Sequence, residues 1–477
     1  MLGLFGTLSL GQRSLQTQQQ GIEVAGHNLA NVNNPAYSRQ RVVIETGSTV
    51  STAIGPQGNG ADVSGIEQMR NVLMDQQIQS ELSVMGFQEK KQAALQYAES
   101  NLGQQIDRNY AGANSANAAQ GVGAQQTIDE GLSDLFASFQ SVATSPTSLA
   151  ERQVLTQKAQ GLANEFNQVN QRLTQLRTYL DDTLRSDVGA ANQLIGQIAN
   201  LNDKIITTES GATGQANDLR DERQAKIEAL SKLVPMQTTP TAAGDVDITI
   251  GGVAMVTGGK VLDQLEAYDA GGGSFMVRSQ TSQSALSLSG NGGLAGTIDA
   301  RDGTVANMQK DLNTLATTII SQVNAIHQGG FSLTGSTGAN FFVGTDAGSI
   351  QVNNALVVDP SLIQASGTTG VVGDNTVALK LAQLADASQA ALNNQTFSQS
   401  YQKTVAAMGE DLARANSDVG SQQAVQSLLL RQRDSLSGVS LDDEMTDLMK
   451  YQKAFAASAK LITTIDQMLD TVLMMKQ

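Results

Sequence analysis

Apolar residues recur at every seventh position at both ends of the chain. Leu8, Leu15, Ile22 and Leu29 form one series, and Leu441, Leu448, Phe455, Ile462 and Leu469 form the other. That spacing keeps one stripe of a helix against a partner helix over several turns. The opening stripe predicts a helix from about Leu4 to Val32, ended by Asn33-Asn34-Pro35, whose proline cannot continue it. Stripes at opposite ends of a long chain predict termini that pair with each other and with neighbouring copies. An assembly subunit is built this way.

Between the stripes the pattern changes several times. Arg39 to Thr46 alternates as a short strand, and Gly47-Ser48, Gly55-Pro56 and Gly58-Asn59-Gly60 predict an extended loop. Helical spacing covers about Gly65 to Leu102, followed by a Gly/Ala/Asn/Ser-rich linker over residues 109–125. Thr127 to Val142 predicts an amphipathic helix stopped at Ser145-Pro146. Ser148 and Glu151 have the spacing of a capping box. They open a long stripe through Leu155, Leu162, Phe166, Val169, Leu173, Leu176 and Leu180 to Leu201 and Ile205. About sixty helical residues would span roughly 90 Å. Asn217 to Leu233 predicts a further helix before Pro235.

Residues 236–299 switch to Thr, Gly, Val and Ser, with alternation at Asp245-Val-Asp-Ile-Thr-Ile250 and Ser284-Ala-Leu-Ser-Leu-Ser-Gly290. Helix resumes near Thr304 and runs to His327, residues 329–375 read as loops and strands, and helices fill about Thr376 to Ser435. The expected fold is mainly α with an inserted β region. The expected domains are a terminal coiled coil (1–60 and 435–477), a rod-like helical domain (61–235, 300–330 and 375–434), a β-rich insert (236–299) and a small loop and strand segment (331–374). This order takes the chain out through α, into β and back, so the two termini share one end of a rod-like molecule.

Energetics sharpen the reading of the ends. Burying about five apolar side chains per helix gains about 1.5–3 kcal/mol each. Ordering some thirty residues costs about 1–2 kcal/mol each before hydrogen bonds offset it. Gly11, Gly21 and Gly26 each cost about 1 kcal/mol more relative to Ala. An isolated terminal pair is therefore marginal, and packing among copies is expected to complete it.

Composition removes whole classes of chemistry. The chain has 477 residues, 4% aromatic content with no Trp, and no Cys, so disulfides, thiolate metal sites and cysteine nucleophiles are excluded. The formal charge of −15 and the lack of a basic run argue against nucleic acid. The first ten residues lack the basic start and long apolar run of a cleavable signal, and no stretch approaches the length of a membrane span.

Candidate catalytic groups have simpler explanations. His27 and His327 read as polar residues in or at the end of helices. Asp218, Asp221 and Glu222 lie among Arg220, Arg223 and Lys226, and Glu222 to Lys226 has the spacing of a helix-surface ion pair. Asp442, Asp443 and Glu444 follow Ser440 and suit the first turn of a helix. Gly258-Gly259-Lys260 lacks the first glycine and the hydroxyl residue of a phosphate loop, since Ala254 and Val261 stand there. Gly290-Asn-Gly292-Gly-Leu-Ala295 has no βαβ unit around it. No catalytic, cofactor or metal residues are assigned.

Asn28-Leu-Ala-Asn31-Val-Asn-Asn-Pro35-Ala-Tyr37 resembles the N-terminal signature of the bacterial flagellar rod, hook and hook-associated proteins, which reads Asn-Leu-Ala-Asn and then Thr-Pro-Gly-Tyr. Here Asn34 and Ala36 replace the Thr and the Gly. Ser38-Arg39-Gln40, Gly131 to Phe136 through Ala163 to Phe166, Asn217 to Arg223, and Gly438 to Glu444 with Tyr451-Gln452 and Ala459-Lys460 are similar to the first hook–filament junction members of that family.

The resemblance implies a non-enzymatic axial subunit, exported by the flagellar type III apparatus without signal cleavage and placed extracellularly at the distal end of the hook. Implied partners are further copies of itself in a ring on a helical lattice, the hook protein, the second junction protein and an export chaperone, with no cofactor, nucleic acid or membrane insertion. The expected assembly residues are Leu8, Leu15, Ile22, Asn28, Leu29, Asn31, Pro35, Tyr37, Leu441, Leu448, Phe455, Ile462 and Leu469. Leu448, Phe455, Ile462 and Leu469 are also the chaperone-binding residues by resemblance. Another hook or rod protein, an enzyme in the outer domains, and a secreted coiled-coil adhesin are the alternatives.

Overall fold

A computed structural model describes residues 3–52, 55–110, 127–211, 214–288 and 290–475. It is 64% helical with small sheets, so the mainly α reading with inserted β holds. In chain order the elements begin with α1 (Leu4–Ala30), β1 (Gln40–Thr46), β2 (Thr49–Thr52), β3 (Gly55–Gly58), β4 (Ala61–Gln68) and α2 (Val72–Tyr110). Next come α3 (Ile128–Thr144), α4 (Leu149–Glu209) and α5 (Asn217–Leu233). Strands follow at β5 (Met236–Pro240), β6 (Val246–Ile250), β7 (Val253–Thr257), β8 (Lys260–Val261), β9 (Leu265–Asp269) and β10 (Phe275–Ser279). The chain closes with α6 (Gly293–Asp299), α7 (Ala306–His327), β11 (Phe342–Val343), β12 (Gln351–Val352), α8 (Asn354–Val358), α9 (Thr376–Gln383), α10 (Phe397–Ser437) and α11 (Leu441–Met474).

Two compact units result. One holds Met1–Phe87, Ser186–Ala295 and Gly420–Gln477, and the other holds Gln88–Arg185 and Gly296–Val419. Helices α2, α4, α6 and α10 contribute residues to both.

The second unit has the large helical core. The long stripe of α4 is buried from Leu155 through Leu180, against Leu132, Leu135 and Phe139 of α3 and Leu312, Leu315 and Ile319 of α7. Thr127 caps α3 in a complete capping box with Glu130. At the head of α4 only half of such a box forms, with Ser148 Oγ accepting from Glu151 N at 3.3 Å.

In the first unit the far end of α4 carries the β strands. Strands β5, β6, β7 and β8 form an antiparallel meander, and the alternation of β6 buries Val246, Ile248 and Ile250. Two asparagines of α4 bind strand backbone as another strand would. Asn192 bonds both the N–H and the carbonyl of Leu265 at 2.8 Å, and Asn202 bonds those of Val246 at 3.2 and 2.8 Å. A Cβ on Gly86 of α2 would lie 1.9 Å from the Lys232 carbonyl oxygen, so α2 and α5 touch through that glycine.

The structure departs from the sequence reading in four places. The loop after β1 contains the β2–β3 hairpin, and β4 pairs with β1, so α2 starts at Val72 instead of Gly65. The partner of β1 lies past a run of turn residues, and short-range periodicity does not reveal it. Ser284 to Gly290 buries Leu286 and Leu288 but joins β10 only through a bridge at Ala285.

Helix returns at Gly293, and residues Ala300–Val305 form a π segment leading into α7. There Arg301 is buried between the carboxylates of Asp181 and Asp302, so a polar stretch continues the helix. Residues 384–396 interrupt the helices of 376–435, with Asn393 and Asn394 in left-handed backbone. The linker expected over 109–125 lies outside the described residues from position 111 onward.

Candidate assembly interface

Helices α1 and α11 pair in antiparallel fashion. Gly11 faces Ile462, Ser14 Oγ meets Ser458 Oγ at 2.8 Å, Gly21 faces Tyr451, and Asn28 meets Glu444. On α1 the buried positions are Gly11, Thr17, Gly21, Val24, Ala25 and Asn28. The seam of α1 is thus made mainly of small and polar residues, with Val24 its largest apolar side chain. A Cβ on Gly21 would come within 2.6 Å of the Tyr451 ring, and one on Gly11 within 2.8 Å of Ile462. These glycines are sockets, and their low helix propensity is offset by the close approach they allow.

The predicted leucine stripe flanks this seam, with Leu8, Leu15, Ile22 and Leu29 half-buried. On α11 the stripe lies nearer the pairing face. Leu448, Ile462 and Leu469 are half-buried beside the buried Ile465, whereas Leu441 and Phe455 are exposed. Met445, Met449, Leu461, Met468 and Val472 also remain exposed along α11, as does Phe5 on α1.

The signature segment closes the end of this pair. Asn28 is 2% exposed and uses its whole amide. Its Nδ2 donates to the Gln40 carbonyl at 2.9 Å and to Glu444 Oε2 at 3.0 Å, while its Oδ1 accepts from Tyr37 Oη at 2.8 Å and Gln40 N at 3.0 Å. Glu444, 3% exposed, also accepts from Arg39 Nε at 2.6 Å, and Arg39 reaches Asp447 at 3.3 Å. One side chain therefore joins α1, β1 and α11.

Asn31 caps α1, and its Nδ2 donates to the His27 carbonyl at 3.0 Å. The replacements at 34 and 36 are accommodated. Asn34 Oδ1 accepts from Ala36 N at 3.2 Å in an Asx turn, and Ala36 is not in left-handed backbone, so no glycine is required. Pro35 is exposed, and its carbonyl accepts from Arg433 Nη2 at 3.3 Å.

Helix α5 anchors the same loop. Asp221 accepts from Ser38 N at 3.1 Å and pairs with Arg70 at 3.3 Å, and Asp218 accepts from Gln40 Nε2 at 3.0 Å. Arg223 is buried and donates to Asn202 Oδ1 and the Gly244 carbonyl. The helix-surface reading of this acidic and basic cluster is thus corrected for Asp221 and Arg223, which are interior. Glu444 is likewise an interior ion-pair partner and more than a first-turn charge. Burial raises the Tyr37 phenol far above its ordinary range, helped by the charges of Asp218, Asp221 and Glu444. Burial also raises Asp221, opposed by its bond from Ser38 and by Arg70.

Sequence comparison locates the chain among known proteins. The model of the flagellar hook-associated protein FlgK helical domain matches residues 113–342, and that of the flagellar basal body rod FlgEFG protein C-terminal region matches residues 432–475. Flagellar hook-associated protein 1 of Bacillus subtilis is 26% identical, aligned over 99% of this chain and 98% of that protein. Along essentially its whole length the chain is similar to flagellar hook-associated protein 1.

Its Salmonella typhimurium relative is 24% identical over 96% of this chain and 98% of its own, and the Escherichia coli relative 22% over 96% and 97%. A solved structure of the flagellar hook junction protein FlgK from Burkholderia pseudomallei has the same fold. Its TM-score is 0.61 at 17% identity, over 76% of this chain and all of that one. Helices α1 and α11 and the segment that leads from α1 into β1 carry all the expected assembly residues. Arg39, Asp221, Arg433 and Glu444 were not among them, because charged residues near helix ends carry no periodic signal of burial.

Proposed function

We propose that the chain is a structural axial subunit joining the hook to the filament of the bacterial flagellum. The observation that carries this reading is the relationship to hook-associated protein 1 along essentially the whole chain. The terminal pair supplies the physical means. Its intramolecular seam is complete, yet Met445, Met449, Leu461, Met468 and Val472 still face outward along α11. Apolar rows of that kind gain from burial against another subunit.

The finer reading places α1 and α11 in the inner tube as a ring of copies, with the β insert at 236–299 and the helical regions facing outward. The hook protein and the second junction protein are its neighbours. The export chaperone covers Leu448, Phe455, Ile462 and Leu469 before assembly, and export leaves the N-terminus uncleaved. The role is non-enzymatic. In support, the carboxylates that most resemble a catalytic cluster, Asp218 and Asp221, serve as backbone and side-chain anchors.

Electron microscopy of a deletion strain tests the main claim. Hooks without filaments and flagellin shed into the medium are expected, and normal filaments on such cells would refute it. The chaperone assignment is tested separately. Serine at Leu448 and Ile462 should abolish capture of the purified chain by that chaperone, and unchanged capture would reject it.

A further inference from the structure

Tyr97 of α2 and Tyr179 of α4 lie in the same compact unit and stack face to face. Their ring centroids are 4.6 Å apart, and the planes differ by 14°. Both rings are open to solvent, at 41% and 47% exposure. Tyrosines usually bury one ring face and keep the hydroxyl wet, so a packing contact alone could account for the stack. Three facts carry the chemistry further. The rings are nearly parallel with centroids 4.6 Å apart, so two phenoxyl radicals formed there would lie side by side. Both are reachable by an oxidant from outside. The chain contains neither Cys nor Trp, so phenols are its main sinks for one-electron oxidation. Methionine instead takes up an oxygen atom to give a sulfoxide.

We propose that Tyr97 and Tyr179 form a site of oxidative cross-linking, coupled to dityrosine by hydrogen peroxide with a haem peroxidase. Each phenol loses one electron and one proton to give a phenoxyl radical. The two radicals join through a carbon–carbon bond between their ortho positions, and each ortho hydrogen then moves to its phenol oxygen, restoring both rings. The product has lost two hydrogen atoms, and one peroxide is reduced to two waters. The bond would tie α2 covalently to α4 and close the chain between residues 97 and 179. A cross-link of that span limits the freedom of the unfolded chain and stabilises the folded one.

The test uses the purified full-length chain at a dilution that keeps it monomeric, treated with peroxidase and peroxide and then digested for mass spectrometry. One peptide pair joining the segments around Tyr97 and Tyr179 is expected, lighter by two hydrogens, with dityrosine fluorescence and a raised Tm. Tyr97→Phe and Tyr179→Phe keep the stack and should each abolish the pair. If the wild-type chain gives no such pair, couples other tyrosines equally, or keeps its fluorescence in Tyr179→Phe, the stack is a packing contact only.

Discussion

Asn28 shows how much a single side chain decides in this protein. It satisfies Gln40, Tyr37 and Glu444 at once in a buried position. Asn28→Ala leaves those groups unpaired, and each orphan costs about 1–3 kcal/mol. A loss of about 3 kcal/mol in urea unfolding is expected, and a change below about 0.5 kcal/mol would remove the residue from its joining role.

Two buried titratable groups of the helical unit act in opposite directions. His327 donates from Nδ1 to the Ala339 carbonyl and accepts at Nε2 from Gln364 N, and burial lowers its pKa to about 4. The unfolded chain, with the ordinary value of 6.5, binds that proton first. The stability held by neutral His327 is complete above pH 6.5 and is lost as pH falls through 4, amounting to about 3 kcal/mol. The chain has only two histidines, so an NMR titration can follow this one and should show no shift between pH 5 and 7.

Glu165 is pushed up to about 8 by burial and by Glu130 and Asp134, and its Oε2 has no hydrogen-bond partner among the described residues. Here the folded state holds the proton more tightly. Its contribution is complete below pH 4.5 and lost as pH rises through 8. Glu165→Gln should flatten that slope and raise Tm at pH 8, and an unaltered pH profile would contradict the assignment.

Among elements, the α1–α11 pair inverts the usual ranking of helix residues. Alanine is favoured over glycine in a helix by about 1 kcal/mol, yet the sign at each site depends on what a Cβ would meet. Nothing lies within 4 Å of a Cβ on Gly26, whereas one on Gly21 would enter the Tyr451 ring. Gly26→Ala should stabilise the pair by about 0.5–1 kcal/mol. Gly21→Ala should weaken it by about 1–3 kcal/mol through overpacking. Amide exchange across α11 measures both, and equal effects at the two positions would rule out the socket. The leucine series is legible in sequence because large apolar residues carry a periodic signal. The glycine and serine seam carries none.

For the whole molecule, chain order and energetics together make the ends the decisive part. If assembly covers the outward row of α11 as proposed, the terminal helices should exchange amide hydrogens faster in the free chain than in assembled flagella. Trimming α1 and α11 should leave a soluble, folded helical unit that cannot join a hook. A trimmed chain that restored filaments to a deletion strain would show that assembly runs through other surfaces.

Periodicity, capping and turn residues act within a few positions of each other. The sequence by itself therefore determined the mainly α fold class, most of its helices and the switch to strands after Pro235, and its signature segments pointed to the flagellar hook-associated proteins. Tertiary structure alone decided the strand partner of β1, the burial of Asp221, Arg223 and Arg301, and the meeting of Asn28 with Glu444, 416 residues away. Such pairings depend on which faces dock once the chain is compact. A buried charge is tolerated only where distant partners converge on it, and local sequence does not contain that convergence.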